Sequence, residues 1–192
     1  MEFLEKMFQL YEQMMVQEVA FFNASGFSLT FKNMISLGIK LKKPDWTDRV
    51  IRKYGPYLPE KSRHSVMNFA QASVQFSRGQ FSQAQKLLLD VRMIDSYYRL
   101  NYDLLLLKIF YECGEAESLL ARIRAFTTFI HRNRSISDQN KEAYLNMAKI
   151  LKRFARYSFD GVGKKETIRK LFTSTEYMVE RVWLTEKFEA LR

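Results

Sequence analysis

The 192-residue chain is 47% hydrophobic and 27% charged, values of a globular protein and not of a disordered one. Its formal net charge is +10, and its one cysteine, Cys113, excludes an internal disulfide and leaves no second thiol for a zinc site. Seven glycines and three prolines leave few places to turn, which favours long helices with short connections over a strand-rich fold.

The longest apolar runs, such as 104–107, fall far short of the roughly 18 residues a membrane span requires. The first residues, Met-Glu-Phe-Leu-Glu-Lys-Met, lack a basic leader followed by an apolar region. A cytoplasmic, reducing location with no membrane partner is expected.

Residues 2 to about 23 read as the first helix. Phe3, Met7, Leu10 and Met14 make one apolar stripe, and Leu4, Phe8, Tyr11 and Met15 make the adjacent one. That arc is wider than one packing surface needs. The helix is therefore either buried within its own domain or covered on its outer side by a partner, self-association included, or by further chain. Gly26 is expected to end it, and Ser28 to cap a second helix reaching about Lys42. Lys42-Lys43-Pro44 stops that helix, and Asp45 can cap a third with Trp46, Val50 and Tyr54 on its apolar side. Tyr54-Gly-Pro-Tyr-Leu-Pro59 closes this hairpin.

Two amphipathic helices joined at Gly79 occupy 68–91. Ala72 and Phe76 precede the break, and Phe81, Ala84, Leu88 and Val91 follow it at helical spacing. A second pair meets at Gly114. Shifting by 35 residues carries Ala72 onto Leu107, Phe76 onto Tyr111, Leu88 onto Ile123 and Val91 onto Phe126. The same shift backwards carries Gly79 onto Pro44, Phe81 onto Trp46 and Ala84 onto Arg49; with Ala84 falling on Leu119 in the forward shift, a small residue at the helix crossing is expected in the middle pair alone.

Caps at Ser135-Ile-Ser-Asp138 start a long helix over 137–157, with Tyr144, Met147, Leu151 and Phe154 on its apolar side. Opposite them Lys149, Lys152, Arg153 and Arg156 line up at i, i+3, i+4 and i+7. A short helix over 164–172 and a last one over 174–191 complete a C-terminal cap.

The stretch around Gly79, with its small residue, aromatic, and Gly-x-aromatic-x-x-Ala pattern, resembles a tetratricopeptide repeat, of which Gly79, Phe81, Ala84 and Gly114 are the defining positions. The chain as a whole also resembles a family of bacterial proteins of the Bacteroidetes group, whose members carry degenerate tetratricopeptide hairpins towards their C-termini. The carrying segments are Phe31-Lys-Asn-Met34 with Asp45-Trp46, Asp95-Ser-Tyr-Tyr-Arg-Leu100, Leu106-Leu-Lys-Ile-Phe-Tyr-Glu-Cys-Gly114, Phe129-Ile-His-Arg-Asn133, Tyr144-Leu-Asn146 and Trp183-Leu-Thr-Glu-Lys187. These resemblances imply an all-α, tetratricopeptide-like α-solenoid forming a single domain over 1–192. Its stacked antiparallel hairpins lie at about 28–58, 63–93 and 99–131, followed by the long basic helix and a cap over 164–191. They imply similarity to the C-terminal part of longer proteins, and no activity.

Such an array offers a concave surface lined by the first helix of each hairpin, and a protein-interaction or scaffold role is expected. Tetratricopeptide proteins that hold a peptide's C-terminal carboxylate carry Lys and Asn at two groove positions. Counted back from each break, those positions are Met34 and Gly38, Phe69 and Ser73, and Leu104 and Lys108. The pair is missing, so the expected ligand is an apolar peptide or partner helix, with the chain's own final helix as an equal alternative occupant.

The alternative function is anion or nucleic-acid binding through 122–170, which holds thirteen Lys or Arg against four Asp or Glu. No aromatic residue interleaves with the four-residue basic stripe to stack bases, and a plain solvated face explains it as well. Tyr97, Tyr98 and Tyr102 with Arg99 are either a recognition patch or a cover over the helix crossing. His64 and His131 are isolated in sequence, Cys113 reads as a small hydrophobe, and no phosphate loop or nucleophile motif occurs. No catalytic residue, metal or cofactor is expected.

Overall fold

The computed structural model describes residues 2–16, 24–92 and 96–191. Among them every regular element is helical, which makes the protein all-α. They group into two compact units, Met1–Ile109 and Phe110–Arg192.

The first unit contains α1 (Glu2–Val16), α2 (Ala24–Lys40), α3 (Pro44–Tyr54), a 3-10 turn (Gly55–Tyr57), α4 (Glu60–Ser77), α5 (Phe81–Leu89) and α6 (Ser96–Glu112) as far as Ile109. Consecutive helices pack on each other from α1 through α5, and α2 also touches α4. Phe31, Met34, Trp46, Ile51, Tyr54 and Val74 lie in the resulting core. Leu4, Phe8, Tyr11 and Met15 turn one stripe of α1 onto it, and the Phe8 ring sits 5.0 Å from that of Trp46. On the other stripe Met7 and Met14 also pack against the core, while Phe3 and Leu10 remain 71% and 54% exposed. The Gly-Pro stretch after α3 is closed rather than slack: Leu58 is buried, and Arg63 donates from Nε and Nη2 to its carbonyl at 3.1 and 2.9 Å.

The second unit contains the end of α6, α7 (Ala116–Arg132), α8 (Asp138–Asp160), α9 (Lys165–Ser174) and α10 (Arg181–Ala190). α8 is its axis, packed by α7, α9 and α10. Phe154, Phe172 and Phe188 meet with centroids 5.5 to 6.1 Å apart. Ser137 caps α8, its Oγ accepting from Asn140 N–H at 3.4 Å.

Three connections share one conformation. Lys42, Gly79 and Gly114 are left-handed, with φ of 54°, 75° and 72°. Each is followed by an N-cap residue, Lys43, Gln80 or Glu115, with ψ of 66°, 63° and 71°. In each, the left-handed residue donates its N–H to the carbonyl three back (Ile39, Phe76, Tyr111), and the next residue donates to the carbonyl five back (Gly38, Gln75, Phe110). This is the closure that satisfies the last free carbonyls of a helix. Four residues past the cap stand Thr47, Ala84 and Leu119, all completely buried. Ile35, Ala72 and Leu107, seven before the left-handed residue, are buried too, as are Ile51, Leu88 and Ile123, nine after it.

The expected break at Pro44 is therefore two residues late, and the first two turns are 37 residues apart, not 35. Pro44 instead takes the first position of α3, where its missing N–H costs nothing. The shift puts Thr47, not Arg49, at the position of Ala84, so a small side chain does stand at the first crossing. Gly38 faces it, and a Cβ there would lie 2.1 Å from Thr47 Oγ1 and 2.9 Å from Trp46 Cε3.

Two other boundaries differ from expectation. Gly26 and Ser28 lie inside α2 and neither ends nor caps a helix. The buried pair Phe27 and Phe31, with rings 6.5 Å apart, carries the apolar face of α2 back past Ser28 to the residue after Gly26. The expected continuation of the first helix over 17–23 lies outside the described residues. Ser174 closes α9, its Oγ donating to Leu171 O at 3.2 Å, and α10 starts only at Arg181. Between them the Arg181 guanidinium donates to the carbonyls of Thr175 and Glu176, holding those residues out of a helix.

Candidate functional site

Burial closes part of the expected groove. Met34 is 2% exposed and belongs to the core, and Leu104 is buried as well, so neither side chain faces a ligand. At the offsets that select Phe69 and Ser73 before Gly79, the first hairpin presents Lys32 and Ser36, and Gly38 instead lies against Trp46 and Thr47. Phe69 is half-buried with its ring edge-on to Tyr98 at 6.3 Å. Ser73 turns its hydroxyl inward, donating to Phe69 O at 2.8 Å. Lys108 holds its Nζ 5.1 Å above the Phe76 ring. What remains is a row of side chains engaged with one another.

The tyrosine patch is likewise drawn inward. Tyr98 and Tyr102 are half-buried, Arg99 Nε sits 3.8 Å from Asp103 Oδ2, and Asp103 itself is 1% exposed. The Tyr97 side chain and Asp95 lie outside what is described.

The basic stripe behaves differently. Lys149, Lys152, Arg153 and Arg156 are all exposed on α8, while Ile150, Leu151, Phe154 and Ala155 on the opposite face are buried and fix the helix's rotation. None of the four side chains has a hydrogen bond or ion pair among the described residues.

A polar cluster that sequence reasoning missed lies in the second unit. Glu112, at the end of α6, accepts from Trp183 Nε1 at 2.8 Å and pairs with Lys187 Nζ at 2.6 Å. Tyr111 beside it packs edge-on against Trp183 at 5.6 Å and on Phe159 at 5.5 Å, with its hydroxyl 3.3 Å from Ser158 Oγ. Burial keeps the Tyr111 phenol above its ordinary range, against the opposing pull of the Ser158 hydrogen bond. Burial, followed by the Glu115 and Glu112 carboxylates, pushes the neighbouring Cys113 thiol up, which favours its protonated form. The cluster joins the end of α6 to α10. Its separation in sequence hides it, since only Gly114 marks the first half.

One open depression of about 520 Å³ lies between α1 and α3, lined by Glu12, Met15, Val16, Arg49, Arg52 and Lys53. Two of its cations are already engaged: Arg49 Nη2 lies 3.9 Å from Glu12, and Lys53 donates to Met15 O at 3.4 Å.

His64 and His131 are exposed, and His64 Nε2 lies 3.2 Å from Asn68 Nδ2. No group of three acidic, histidine or cysteine side chains placed to hold a metal occurs among the described residues, and none of their helices is long and apolar enough to cross a membrane. Compared with protein-family models, curated proteins and solved structures, the chain matches none of them.

Proposed function

We propose that the protein is a non-enzymatic, cytoplasmic interaction module whose hairpins form a degenerate tetratricopeptide-like α-solenoid related to the Bacteroidetes family it resembles. The observation that carries this reading is the threefold recurrence of one helix-ending turn, at Lys42, Gly79 and Gly114, with a completely buried residue four past each cap. Hairpins built to one plan expose one set of faces repeatedly, which suits binding surfaces and not reaction centres. The partner assigned is a protein helix or peptide with an apolar side. Its contact is placed on the outer stripe of α1, where Phe3 and Leu10 stay exposed, because Met34 and Leu104 are not available in the groove. A photo-crosslinking residue at position 10 should capture one partner in cells, and one at the exposed position 86 should not. Phe3→Glu with Leu10→Glu should abolish that capture. Equal capture from both positions, or capture that survives the double change, overturns the reading.

A second reading, polyanion binding by 122–170, is favoured by one observation. The four cations of α8 are exposed and carry no partner among the described residues. Retention on heparin that falls steeply with salt, and is lost in Lys152→Glu with Arg153→Glu, tests it.

A further inference from the structure

From the junction of α8 with the loop after it, we infer that the polyanion which this face meets is the surface of an anionic phospholipid bilayer. The inference rests on the second reading above and adds the ligand class. Four cations at 149, 152, 153 and 156 occupy about 10 Å of helix at 1.5 Å per residue. No acidic residue stands on the helix between Glu142 and Asp160. Cations alone would fit any polyanion.

The end of α8 adds the discriminating feature. Gly161 is left-handed, with φ of 68°, and reverses the chain so that Val162 donates its N–H to Arg156 O at 3.0 Å. This ties the Val162 backbone to that of Arg156, the last residue of the stripe, and leaves the Val162 side chain 50% exposed. Phe159, one turn past Arg156, is also partly exposed and is propped from below by Tyr111. Lys164 continues the positive charge beyond the loop.

An aliphatic and an aromatic tip at the end of a cationic stripe match the two layers of a membrane interface. Lys and Arg sit at headgroup depth, and the apolar tips reach the acyl boundary. Binding to the phosphate backbone of a duplex would use the cations but leave Val162 without a partner, since an isopropyl group does not contact a phosphate. A surface contact needs no spanning helix, so the short apolar runs do not bear on it.

The test is co-sedimentation of the whole chain with vesicles of phosphatidylcholine alone and of phosphatidylcholine with about a third phosphatidylserine, a composition that supplies the negative surface potential. Expected is pelleting with the phosphatidylserine vesicles only, weakened about tenfold by high salt. Lys152→Glu with Arg153→Glu should abolish both pelleting and heparin retention. Val162→Asn, a neutral change at an exposed loop position, should weaken pelleting several-fold and leave heparin retention unchanged. Heparin retention or duplex-DNA binding without vesicle binding overturns the lipid assignment and leaves the polyanion reading standing. Equal pelleting with both vesicle types overturns the lipid assignment as well, and wild-type protein that binds neither heparin nor vesicles overturns both.

Discussion

At the turn between α4 and α5 the left-handed position is Gly79, which has nothing within 4 Å of a hypothetical Cβ. At the turn between α2 and α3 the same position is Lys42, which carries a real Cβ into φ of 54°. A non-glycine residue there costs on the order of 1–2 kcal/mol. The first hairpin has its glycine four residues earlier, at Gly38, where the helices press closest. Its neighbour Thr47 is pinned by a 2.9 Å bond from Oγ1 to Lys43 O. In the second hairpin the residue equivalent to Gly38 is Gln75, and the crossing is eased from the other side by Ala84. One backbone plan is thus reached by two distributions of small residues, one favouring the turn and the other favouring the crossing.

The comparison breaks most visibly at Gly38. Gly38→Ala should destabilise the protein by about 3 kcal/mol, because the added methyl meets Thr47 and the Trp46 ring, neither able to retreat freely. A urea midpoint unchanged from wild type would show that the crossing tolerates a side chain. Removing the hydroxyl at the same time, as Gly38→Ala with Thr47→Ala, should recover part of the loss. A double-mutant cycle should return a coupling of about 1–2 kcal/mol, and none if the methyl is absorbed elsewhere. Gly79→Ala should cost about 1 kcal/mol, all of it backbone strain since no atom lies nearby. Lys42→Gly should go the other way, raising stability by roughly 0.5–1 kcal/mol as the left-handed strain is relieved and glycine's entropy is added. If Lys42→Gly destabilised instead, the two turns would not be equivalent.

The same contrast separates what could be read in the sequence from what could not. Gly79 and Gly114 announce their turns because glycine is the ordinary residue for a left-handed helix end. Lys42 gives no such sign, so the first break is placed at the next conspicuous breaker, Pro44. That two-residue error is enough to put Met34 in a groove and Arg49 at a crossing. Helix type was legible throughout from apolar spacing at 3.6 residues, and the exposed stripe on α8 followed from the buried face opposite it. Gly26 and Ser174 were misread because a local terminator or cap signal was overridden, by packing of Phe27 and Phe31 in one case and by the Arg181 guanidinium in the other. Glu112 could not be paired with Trp183 or Lys187 from sequence, since 71 residues separate the hydrogen-bonded pair.

That separation sets a schedule for biosynthesis. A chain leaves the ribosome from its N-terminus, and the helices of the first unit are complete while the second is still being made. Glu112 emerges before its two donors, the Trp183 indole and the Lys187 ammonium, which both stand on α10. Until then the carboxylate and the rings of Tyr111 and Phe159 wait in solvent without Trp183, and the second unit has no means of sealing that end. Closure of this end of the C-terminal unit therefore requires α10, which supplies both donors to Glu112.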